Sequence, residues 1–177
     1  MPVQIGAEPD SGFDDPIGML TDCHRRIKWF TSVLAQVAVR AQGRALTCEE
    51  RTAVEGALHY FRESGPRHNH DEEDSVFPRL RLLGSATLQA EIERLEGEHA
   101  EADALHLEVV RLYAKWGADH GLPQDEEARL LATTQRLQQL YEAHIRVEEE
   151  RVFPRATQVL DAATMATIGQ EFKKRRS

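Results

Sequence analysis

A twelve-residue segment occurs twice in this chain of 177 residues, and that repetition constrains the fold more than any other feature. His68-Asn69-His70-Asp71-Glu72-Glu73-Asp74-Ser75-Val76-Phe77-Pro78-Arg79 returns 76 residues later as His144-Ile145-Arg146-Val147-Glu148-Glu149-Glu150-Arg151-Val152-Phe153-Pro154-Arg155. The pattern H-x3-E-E-x3-F-P-R is thus duplicated. Another histidine on a leucine-spaced segment precedes each copy, as Leu20-x3-His24 and Leu95-x3-His99. The repeating unit is a histidine, a gap of about 44 residues and H-x3-E. Two like halves imply a pseudo-twofold relation, which places both H-x3-E pairs at comparable depth.

The scaffold for this repeat reads as all-α. The chain is rich in Ala, Leu, Glu, Arg and Gln and holds only 11 Gly and 7 Pro, a balance that favours helix. Asp15-Pro16 supplies an N-cap with Pro at the first helical position, and Ile17, Leu20, Ile27, Phe30, Leu34, Val37 and Ala41 recur at helical spacing. Thr47-x2-Glu50 is a capping box for a second helix, interrupted at Ser64-Gly65-Pro66 and resuming through His68 to about Leu83, where Gly84 caps it. Ser85 opens a third helix expected to end at Gly117. A turn to Gly121 precedes the fourth, which starts near Pro123, and Asp161 caps a short last helix. Links this short reach only antiparallel neighbours, so the expectation is an up-down-up-down four-helix bundle with a short extra C-terminal helix. One domain suffices: a flexible tail over 1–13, the bundle over 14–157, and the final helix with a basic tail over 158–177.

Residues four apart on a helix are offset by about 40° and about 6 Å, so His68 with Glu72, and His144 with Glu148, share a face. A single such pair on a charged helix is ordinarily solvated. Duplication with the same Phe-Pro-Arg ending and a preceding histidine at matched distance argues for ligands instead. With His24 and His99, four imidazoles and two carboxylates converge inside the bundle. This donor set suits iron, manganese or zinc, with iron the first choice, and shared carboxylates suit two ions. Phe77-Pro78 and Phe153-Pro154 read as packing and helix-bending positions.

The chain resembles the bacterial hemerythrin-like (HHE cation-binding) family, whose signature is H…HxxxE…H…HxxxE, over about residues 14 to 157 with all six signature positions filled. The resemblance implies a non-haem di-iron centre (Fe2+/Fe3+). His24 and His68 would hold one iron and His99 and His144 the other, with Glu72 and Glu148 bridging beside an oxo or hydroxo group. Oxygen-carrying hemerythrins have a second helix-3 histidine four residues after the first, and here that position is Asp103. Both irons then keep an open position unless Asp103 binds. That favours redox chemistry over simple oxygen carriage.

Other residues read more plainly. His70 lies about 200° around the helix from His68, with Arg146 as its counterpart, and is expected at the surface. His106, seven residues after His99, lines a channel, relays protons, or packs as a partly buried histidine, the commonest role. Tyr141 either donates a hydrogen bond near the metals or fills the core with its hydroxyl at the bundle edge, the more usual arrangement. Cys23 points about 100° away from His24 and is expected to pack or be exposed. Glu73 and Glu149 are either acceptors for the ligands or solvated charges. His59 and His120 have no evident partner. Ferritin-like bundles need two E-x2-H motifs, and only Glu96-x2-His99 fits. No strand-to-helix elbow exists for a hydrolytic nucleophile.

A net charge of −8 disfavours nucleic acid, and Lys173-Lys174-Arg175-Arg176 is expected to be a solvated end. No stretch approaches the roughly 18 apolar residues of a membrane span, and no basic start with an apolar run suggests a signal peptide. Two cysteines without C-x2-C spacing suit the cytoplasm. The first functional expectation is turnover of a small oxidant, with hydrogen peroxide in a catalase-like cycle as the first choice. The alternatives are reversible O2 or NO binding or sensing, and iron supply or repair under nitrosative stress. A helical interaction module with relic ligands ranks last.

Overall fold

The computed structural model describes residues 10–83, 85–119 and 121–177, and every regular element among them is helical. In chain order these are α1 (Pro16–Arg40), α2 (Cys48–Glu63), α3 (Gly65–Asp71), a π-helical turn (Glu72–Val76) and α4 (Phe77–Leu83). They are followed by α5 (Ala86–Asp119), α6 (Gln124–Val147), a second π-helical turn (Glu148–Val152), α7 (Phe153–Val159) and α8 (Ala162–Arg175). α1 packs on α2 and α6, and α5 on α2, α4 and α6. α8 lies against α1, α3 and the first π turn.

Local chemistry sets the helix ends. The Asp15 carboxylate accepts from the Gly18 N–H, with Pro16 in the first turn. At Thr47 both arms of the capping box form with Glu50. The α1–α2 link turns at Gly43, whose φ of 73° suits a residue without Cβ, and the Gly43 N–H is held by Glu127 at 2.7 Å. Asp161 caps α8 through the Thr164 N–H.

The two π turns have one cause. Pro78 and Pro154 lack an N–H, and each proline ring crowds the carbonyl four residues earlier. Widening the preceding turn by one residue removes the clash. The Phe77 N–H accordingly donates to Glu72, and the Phe153 N–H to Glu148, each five residues back. Each π turn starts at the glutamate of the motif, so the proline sets the backbone on which that carboxylate sits.

Two large apolar clusters, with a small third one of Ala102, Leu137 and Leu140, divide the interior. One contains Ile27, Leu34, Val54, Phe61, Val109, Trp116 and Leu130. The other contains Leu20, Val76, Phe77, Leu95, Val152, Phe153, Ile168 and Phe172. His24 lies between Leu20 and Ile27 along α1, and His99 between Leu95 and Val109 along α5. The polar layer thus sits between apolar ones.

Three expectations change. α5 runs past Gly117 to Asp119, because buried Tyr113 and Trp116 hold its last turns and offset the roughly 1 kcal/mol cost of a helical glycine. The interruption in the second helical stretch shrinks to Ser64, whose carbonyl still accepts from the His68 N–H. The basic end is not a freely solvated run. Arg175 and Arg176 both bind the fully buried Asp71, at 2.9 and 2.5 Å, and Arg175 also donates to buried Ser75. A buried carboxylate needs such partners. Gly84, His120 and residues 1–9 of the expected tail lie outside the described residues.

Candidate metal centre

All six residues of the repeated pattern are buried and meet in one cluster. His24, Glu72 and Glu148 have no exposed surface, and His68, His99 and His144 are nearly as enclosed. Two overlapping sets of possible metal donors form, each with donor atoms within 4.8 Å of one another: His24, His68, Glu72 and Glu148, and Glu72, His99, His144 and Glu148. Each histidine belongs to one set and both glutamates belong to both. α1 supplies His24, α3 His68, α5 His99 and α6 His144, while the π turns begin at Glu72 and Glu148.

The imidazoles present Nε2 to the interior. His24 and His144 Nε2 each lie 3.1 Å from a Glu148 oxygen. His68 and His99 Nε2 lie 3.5 and 3.4 Å from Glu72 oxygens, and His99 Nε2 is 3.1 Å from His144 Nε2. Yet neither His24 Nε2 nor any carboxylate oxygen of Glu72 and Glu148 makes a well-formed hydrogen bond among the described residues. Buried donors that face one another at short range without satisfying one another suit cations placed between them. The residues fit a pair of metal ions.

Carboxylates hold three of the four outward nitrogens, and His68 Nδ1 is buried without a hydrogen-bond partner among the described residues. His24 Nδ1 donates to Glu149 at 2.9 Å, His99 Nδ1 to Glu73 at 2.6 Å, and His144 Nδ1 to Glu98 at 2.9 Å. These contacts fix ring orientation and direct Nε2 inward. The first two follow the repeat: the second glutamate of each motif holds the lone histidine of the other half. Phe153 stacks on His24 at 5.3 Å, and Phe77 lies parallel to His99 at 6.4 Å, which repeats the exchange. Glu73 and Glu149 are therefore acceptors, resolving the choice left by the sequence.

Glu98 was missed by sequence reasoning. Its only signal was adjacency to His99, and the corresponding position before His24 is Cys23. Cys23 Sγ instead lies 3.0 Å from the Tyr60 hydroxyl, outside the donor sets.

Electrostatics follow from this arrangement. Burial alone would depress the histidines, but Glu148 and Glu149 raise His24 to about 9, Glu72 and Glu73 raise His99 to about 10, and Glu148 with Glu98 raise His144 to about 9. Burial and the neighbouring imidazoles push His68 well down. Burial and the Glu148 charge lift Glu72 to about 7, while His144 and His24 overcome burial to hold Glu148 low.

The remaining candidates stand apart. Asp103 is exposed, belongs to neither donor set, and lines an open cleft of about 490 Å³ with His70, Glu73, Asp74, Glu96 and His99. His106 Nε2 lies 3.0 Å from the Tyr141 hydroxyl, and both rings pack against Phe61. Burial pushes His106 down to about 4 and Tyr141 upward, so both are neutral near pH 7. His70 and His59 are exposed, and His59 lies 3.1 Å from Arg62.

No helix among the described residues is long and apolar enough to cross a membrane. An uncharacterised protein of Haemophilus influenzae is 29% identical over 168 residues, spanning 93% of this chain and 91% of that one. The family model for the hemerythrin HHE cation-binding domain matches residues 15–156, across all four helical stretches that supply the cluster. With the paired donor sets it covers, this match makes the chain a member of the hemerythrin HHE cation-binding domain family.

Proposed function

We propose that the chain is a non-haem di-iron protein that processes a small oxidant, with hydrogen peroxide as the foremost substrate in a catalase-like reaction. The observation that carries this reading is the buried, mutually unsatisfied donor cluster in which two glutamates belong to both sets. His24 and His68 would hold one ion, His99 and His144 the other, and Glu72 and Glu148 both. Two iron ions held there would supply two reversible one-electron couples, the redox capacity that disproportionation of two peroxides to water and dioxygen needs.

The chain's own groups do the rest. Glu149, Glu73 and Glu98 fix the imidazoles of His24, His99 and His144. The apolar clusters on either side limit water, and neutral His106 and Tyr141 form a hydrogen-bonded pair one to two helical turns from the ligands. Contacts of α1 with α2 and α6, and of α5 with α2 and α6, support an up-down-up-down four-helix reading over 14–157, with α8 as an addition. Two free cysteines support a cytoplasmic location.

The test is metal content followed by oxygen release. About two irons per chain, and peroxide turnover lost in Glu72→Ala and Glu148→Ala, is the expected outcome. A spectrum that changes reversibly with O2 or NO, without turnover, would replace this reading with a binding or sensing protein. Absence of bound iron after careful loading would refute the di-iron reading.

A further inference from the structure

A second cavity, of about 240 Å³, is bounded by Cys23, Arg26, Tyr60, Ser64, Arg67 and Arg176. All the charged groups in this described lining are arginines, in a chain of net charge −8. Their carboxylate partners do not neutralise them, because each is shared with a second arginine. Asp10 lies 2.7 Å from Arg26 and 3.7 Å from Arg25. Glu63 is 3.9 Å from Arg67 but closer, at 3.3 Å, to Arg62. Asp71 takes both Arg176 and Arg175. Even when Asp22, bound to Arg25 at 2.6 Å, and Asp74, 3.9 Å from Arg175, are included, six arginines face five carboxylates. Tyr60, whose hydroxyl donates to the Cys23 carbonyl, and Ser64 complete the wall.

We propose that this cavity binds a dianionic phosphate group. Guanidinium forks match phosphate oxygens in charge and geometry, and three on one cavity form a cluster suited to a doubly charged oxyanion. The volume falls below the roughly 300 Å³ at which pockets for drug-sized ligands begin, so the ligand is small: free phosphate or a small phosphomonoester. Arg176 joins this cavity to the Asp71 clamp, so a bound phosphate ties the end of α8 to α1 and α3. The site does not depend on the metal reading.

Calorimetric titration of the full chain with inorganic phosphate and with glycerol 3-phosphate, against sodium chloride at matched ionic strength, tests the proposal. Saturable binding near one per chain is expected. Arg67→Gln and Arg26→Gln should each weaken it about tenfold or more, and Arg79→Gln, outside the cavity, should leave it unchanged. The tighter of the two ligands identifies the source of the phosphate. Binding no stronger than to chloride, or phosphate binding that survives both Arg67→Gln and Arg26→Gln, overturns the proposal. The second result would also place any bound phosphate elsewhere, including at the metals.

Discussion

Loading the metal-free chain with ferrous ion at pH 7 should release protons in a number set by the cluster. His24 and His144, raised to about 9, and His99, raised to about 10, are imidazolium at that pH, and Nε2 must lose its proton to bind metal. His68 is already neutral, and Glu72, at about 7, is half protonated. Uptake should therefore release about three to four protons per chain. Between pH 7.5 and 8.5 the apparent affinity should rise about a thousandfold per pH unit, flattening above about pH 10. Without metal the sign reverses. The stability these raised histidines contribute is fully present below pH 6.5 and is lost as pH rises through 9 to 10. Stopped-flow mixing in weak buffer with a pH indicator reads the protons, and chelator competition reads the affinity. Fewer than one proton released on full loading, or an affinity independent of pH, would refute the imidazolium-carboxylate account of the metal-free cluster.

Glu149→Gln and Glu73→Gln should each lower metal affinity about 10- to 100-fold with helicity unchanged, by chelator competition and circular dichroism. Wild-type affinity in both would remove their orienting role. Arg175→Ala with Arg176→Ala leaves Asp71 buried and unpaired, a loss of about 3–5 kcal/mol in urea unfolding. Adding Asp71→Val, the residue type at Val147 in the second copy, should recover most of that loss; no recovery would contradict the clamp. Gly169→Ala places a Cβ onto the Phe13 carbonyl oxygen and should cost about 1–3 kcal/mol, whereas an unchanged thermal midpoint would deny that contact.

The helices, several of their caps and the six inward donors were legible in the sequence because each depends on local chemistry. Asp15 and Thr47 cap within three residues, and His68 with Glu72 share a face by the helical period alone. The duplication extended that local reading by implying that the two pairs meet. The exchange of Glu73 and Glu149 between halves, Glu98 on His144, and Arg175 and Arg176 on Asp71 join residues 26 to 125 positions apart. Only the register between packed helices decides which side chains meet across such separations. Cys23 marks the limit: it occupies the position that Glu98 has in the other half, but packing turns it toward Tyr60. Periodicity and capping act along one helix, whereas these pairings are set by burial, where a charge taken out of water must find its partner on a neighbouring helix.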